Sequence, residues 1–104
     1  MHNLDFDESE CDLVCSALEQ LSKNVRDTIS NSKNTESELV YFALAYSDLI
    51  NDLILEVNRR DSFTASEIKM IYNALNQLPK TDNNIKYLID SITDYCNDFD
   101  IELP

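Results

Sequence analysis

Residues Phe6–Lys23, FDESECDLVCSALEQLSK, return as Phe63–Lys80, FTASEIKMIYNALNQLPK, with eight of the eighteen aligned positions identical. Repetition of this kind in a chain of 104 residues is the mark of a duplicated supersecondary unit, here a helical hairpin. Both copies open with the same helix-start grammar. In the second, Thr64 is an N-cap, Glu67 closes a T-x-x-E capping box, and Phe63 is placed to staple onto Ile68. Phe6, Asp7, Glu10 and Cys11 occupy the same places in the first. Apolar residues then recur at helical spacing, Val14, Leu18, Leu21, Val25, Ile29 in one copy and Ile68, Ile71, Leu75, Leu78 in the other.

Working outward, Thr35 and Glu38 form another capping box, followed by the stripe Leu39, Phe42, Tyr46, Leu49, Leu53, Val57. Arg59 and Arg60 suit the C-terminal end of that helix. Pro79 stops the third helix, and Ile85, Leu88, Ile89, Ile92, Tyr95, Cys96, Phe99 mark a fourth. Tyr41, Asp48, Asn51 and Asp52 align with Tyr87, Asp94, Asn97 and Asp98, in a register eleven residues off that of the first repeat, so the first hairpin is the longer. The spacing predicts helices near 8–31, 35–60, 65–78 and 82–98 and no strand. The expected fold is all-α, an up-down-up-down four-helix bundle built from two duplicated antiparallel helical hairpins of unequal length. It is a single helical domain over 1–104, with hairpin 1 at about 6–60, hairpin 2 at about 63–99 and an acidic C-terminal tail, 100–104. The longer helices should overhang the shorter pair and leave apolar surface for a homodimer.

Composition excludes more than it includes. The formal net charge is −12 and the pI near 4.1, which disfavours direct binding to nucleic acid or to an anionic membrane and favours a basic or nucleic-acid-binding protein as partner. No apolar run approaches a membrane span, and the acidic start MHNLDFDESE lacks an apolar signal region, so a cytoplasmic location is expected. Three cysteines, an odd number, favour reduced thiols over a disulfide framework. Glycine is absent. Walker A loops, Rossmann turns, nucleophile elbows and EF-hand loops all depend on it for positive φ or close backbone approach, so those chemistries are ruled out.

The acids are unevenly placed. Asp5, Asp7, Glu8, Glu10 and Asp12 precede Leu13 with no Lys or Arg among them, and Asp90, Asp94, Asp98, Asp100 and Glu102 follow Lys86 in the same way, together supplying ten of the twelve net charges. Alternating helices should bring the two ends to one pole, where the array can imitate a phosphate backbone; the plainer alternative is a solvated face that keeps the chain soluble. Tyr41 and Tyr72 are candidate interface anchors, whereas Tyr46 and Tyr95 fall on core stripes. Cys11, Cys15 and Cys96 with His2 make a nominal Cys₃His zinc set, but helical C-x₃-C spacing reads better as core packing. The pairs Asp48/Asp52 and Asp94/Asp98 raise Mg²⁺ binding, yet the single histidine, His2, lies outside every helix, and no cofactor is expected.

These features point to a small acidic non-enzymatic protein-binding inhibitor. In type and composition, though in no diagnostic motif, the chain resembles the small acidic helical inhibitors of phages and mobile elements, including nucleic-acid mimics. That resemblance implies an anti-defence protein blocking a restriction or CRISPR enzyme. The alternatives are a toxin or bacteriocin immunity protein or helical adaptor, and after them a metal-dependent helical nucleotide hydrolase.

Overall fold

The computed structural model describes residues 2–31, 37–59, 61–79 and 82–103. Four helices, α1 (Glu8–Asn31), α2 (Ser37–Glu56), α3 (Ala65–Asn76) and α4 (Asn83–Asp98), pack as an all-α bundle. Their directions follow from contacts at both ends. Cys15 Sγ lies 3.9 Å from the Ile54 carbonyl and Ser22 Oγ lies 3.1 Å from Ser47 Oγ, so α2 runs back along α1. The Phe6 and Phe63 rings meet at 5.9 Å and Asn24 bonds Gln77 at 3.0 Å, so α3 runs parallel to α1. The α4 helix returns along α3, which brings the charge of Lys69 to bear on Cys96.

The repeat is written into the burial pattern. Cys11 and Ile68, Val14 and Ile71, Ala17 and Ala74, and Leu18 and Leu75 are buried pair by pair at equivalent positions. Both capping boxes form. Glu10 N donates to Asp7 Oδ1 at 2.8 Å and Asp7 N to Glu10 Oε1 at 3.1 Å; Glu67 N donates to Thr64 Oγ1 at 3.1 Å and Thr64 N to Glu67 Oε1 at 2.9 Å. Each box satisfies two backbone donors that a helix start otherwise leaves open, worth about 1 kcal/mol per cap.

The structure corrects the expectation of no strand. β1 (His2–Asn3) pairs antiparallel with β2 (Ser62–Phe63), and Leu4 N donates to Asp61 O at 3.0 Å. Because α1 and α3 start at the same end, the extended residues ahead of each lie side by side and satisfy each other's backbone groups. Helix ends differ too. A tight turn, with Arg59 N donating to Glu56 O at 2.9 Å, ends α2 at Glu56, and α3 ends at Asn76, ahead of Pro79.

The larger correction concerns α2. Its core face is Ser47, Ile50 and Leu53, continued by Val57 just past its end and flanked by Tyr46 and Ile54; Leu53 and Val57 of the expected stripe are buried, whereas Phe42 and Leu49 are 70% and 58% exposed. The core face is rotated because α1 presents a polar layer. Arg26 Nε donates to Ser47 Oγ at 3.3 Å, Ser47 Oγ meets Ser22 Oγ at 3.1 Å, and Ser22 Oγ donates to Asn51 Oδ1 at 3.3 Å. Since guanidinium only donates and each hydroxyl carries one proton, the chain has a single consistent direction, Arg26 to Ser47 to Ser22 to Asn51. Thr35, and with it the Thr35–Glu38 capping box, and Arg60 lie outside the described residues, as does the side chain of Leu39. At the C-terminal end of the fourth stripe Phe99 is 56% exposed, because the helix has ended; its ring stacks on Tyr95 at 4.5 Å and meets His2 edge-on at 5.8 Å.

Candidate partner-binding site

Every carboxylate in the two acidic segments except Glu10, which is half-buried in its capping box, is exposed. Asp5, Asp7 and Glu10 line one wall of a cleft of about 620 Å³; Asn84, Tyr87 and Ser91 of α4 line the other, with Ser9 and Leu13. Asp90, Asp94 and Asp98 follow one another at four-residue spacing along the outer side of α4, next to Tyr87, which is 70% exposed. The first acidic segment therefore lies across the cleft from α4, the helix that carries Asp90, Asp94 and Asp98, while none of those three lines the cleft itself. The first turn of α1 faces the first half of α4, and it is the strand residue His2 that reaches the last turn, against Tyr95 and Phe99. Asp100 and Glu102 extend past that turn and are exposed.

The tyrosines divide. Tyr41 is 74% exposed, while Tyr72 is half-buried and packs against the core, as do Tyr46 and Tyr95. No matching family model, curated protein or solved structure was found. What the site does must therefore come from its own chemistry.

The thiols are held by backbone. Cys11 Sγ donates to Phe6 O at 3.7 Å and Cys15 Sγ to Ile54 O, so one ties down the staple and the other bridges α1 to α2, while Cys96 is wholly buried. All three thiols are pushed above their ordinary range, chiefly by burial; neighbouring acids add to the effect at Cys11 and Cys15, and Lys69 partly offsets it at Cys96. Among the described residues no three of His, Cys, Asp or Glu are grouped to hold a metal ion. Asp48, Asp52, Asp94 and Asp98 are all exposed.

One feature escaped the sequence. Between α2 and the start of α3 runs a groove of about 420 Å³ with Leu49, Leu53 and Met70 along it and Asp52, Glu56, Thr64, Ser66 and Glu67 around it. The apolar spacing of α2 places Leu49 in the core, which hides the groove from the sequence. The available signal was Asp48, Asp52 and Glu56, a carboxylate row at four-residue spacing that marks the neighbouring side of α2 as open.

Proposed function

We propose that this protein is a non-enzymatic inhibitor that binds another protein in the cytoplasm by occupying its basic, nucleic-acid-binding surface. The observation that supports the reading is the cleft between α1 and α4, lined by Asp5, Asp7 and Glu10 of the first acidic segment and by Asn84, Tyr87 and Ser91 of the helix whose exposed Asp90, Asp94 and Asp98 belong to the second. Asp90, Asp94 and Asp98 lie at intervals of about 6 Å along the helix axis. One strand of duplex DNA carries a phosphate every 3.4 Å or so, so α4 alone has roughly half that line density. The acids at the start of α1 supply the second row. A long basic channel of the kind found in nucleic-acid-guided or restriction nucleases is the surface such a double row fits, and a phage or mobile-element origin accords with that target class.

The test is the triple variant Asp90→Asn, Asp94→Asn, Asp98→Asn. These carboxylates repel one another at i, i+4 and oppose the helix dipole near the C-terminus, so neutralising them leaves the fold at least as stable. Capture of partners from nuclease-treated bacterial lysate should recover a nucleic-acid-binding protein with the native chain at low salt. The variant should bind it at least tenfold more weakly, with a flatter salt dependence. Equal capture by both chains refutes the reading.

The groove between α2 and α3 favours a second reading, an immunity protein or adaptor, because its apolar floor suits a salt-resistant contact. A partner retained at high salt and lost on Leu49→Asp selects that alternative.

A further inference from the structure

We infer that the overhanging end of the first hairpin is a homodimer interface, covered by the same end of a second copy. The overhang is geometric. Asn24 of α1 bonds Gln77, the cap that ends α3, and α1 continues to Asn31, about 10 Å further. The α4 helix begins further back, where Asn84 shares a cleft with Leu13. On the α2 side Ser47 sits opposite Ser22, so residues 41–44 lie at or beyond the level where α3 stops.

What is left uncovered there is apolar. Residues 41–46 read YFALAY, and Tyr41, Phe42 and Leu44 are 74%, 70% and 50% exposed. A helix apolar around most of its circumference belongs in an interior. The repeat makes the same point, since Leu88, the counterpart of Phe42 in the second hairpin, is 1% exposed.

Two observations select a second copy as the occupant. First, charge: among the described side chains at this end Lys23 and Arg26 stand against Asp27 and Asp48, so this surface is neutral and the rest of the chain holds the entire net charge of −12. Two copies joined here keep their acidic clefts apart, whereas contact through the α1/α4 face would press like charges together. Second, area: aromatic side chains offer about 150–250 Å² each, so Tyr41 and Phe42 supply roughly 300 Å² per copy and 600 Å² across a two-fold pair. A specific interface needs on the order of 1,000 Å², leaving the difference to Leu44 and to the shelf at the end of α3. A stepped end is self-complementary under two-fold symmetry, one overhanging hairpin resting on the other's shelf.

Sedimentation velocity from about 1 to 200 µM, a range spanning ordinary dimer affinities, reads this directly. The native chain is expected at twice its 12.0 kDa mass, unchanged by salt, and Phe42→Asp with Leu44→Asp at 12.0 kDa with native circular dichroism. Leu55→Asp, a 70% exposed leucine near the other end of α2, should remain dimeric. A native chain at 12.0 kDa throughout overturns the inference, as does a dimer that survives the double substitution. Monomers that bind an unrelated protein through Phe42 and Leu44 overturn it as well.

Discussion

A chain without glycine has to build its left-handed helix cap from another residue, and here that residue is Asp100, at φ 55°. Ile101 N donates to Cys96 O at 2.8 Å, which makes Asp100 the C′ residue of a Schellman motif whose following residue, Ile101, packs against the core. An ordinary L-residue in this conformation costs about 1–2 kcal/mol, and a negative charge at a helix C-terminus a further 0.3–1 or so. Asp100→Gly removes both, while the looser unfolded chain takes back roughly 0.4–1 kcal/mol. The net expectation is a gain of about 1–2 kcal/mol, or roughly 5–10 °C in Tm for a domain of this size. Asp100→Asn separates the parts, because it removes only the charge and should gain about 0.3–1 kcal/mol, an amount that shrinks in high salt. Melting followed by far-UV circular dichroism is the assay. Asp100→Gly melting at or below the native chain refutes the assignment of strain to this cap.

Two further outcomes follow from the interior. Ser47→Ala should cost about 1–3 kcal/mol, since it strips the partner from Ser22 and Arg26 in a buried layer; paired with Ser22→Ala the loss should be smaller than the sum, and strict additivity in denaturant unfolding contradicts the hydrogen-bonded chain. The raised thiols give a pH dependence whose sign is fixed: above the ordinary value of 9.0 the unfolded chain releases thiol protons that the folded chain keeps, so these groups contribute less stability as pH climbs toward the folded values. Iodoacetamide at pH 8 should label Cys15, the half-exposed thiol, before Cys11 and Cys96, and rapid labelling of all three in the native protein counts against the burial.

Helices α1 and α3 were legible because their signals agree across levels: the repeat, the capping boxes and the apolar spacing all select one face. Helix α2 was not, because so many of its positions are apolar that several stripes fit. The one starting at Leu39 drifts away from the true face at Phe42 and Leu49. The deciding residue was a serine. Ser47 is 2% exposed, and its burial becomes affordable only through Ser22 and Arg26, twenty-five and twenty-one residues away in sequence. The acidic face was legible since charged groups stay in water whatever the packing. The groove between α2 and α3 is hidden because the Leu39 stripe places Leu49 in the core. The two-residue strands are set by where α1 and α3 begin relative to each other, which no local pattern encodes.

The most direct measurement of the central claim is displacement. The native protein is immobilised, a nucleic-acid-binding partner is captured from nuclease-treated lysate, and a duplex DNA of random sequence is added as competitor. Mimicry predicts that the duplex releases the partner and that the partner's own nucleic-acid binding is blocked in proportion to the protein added. A ternary assembly of protein, partner and DNA, with no competition at any ratio, contradicts it.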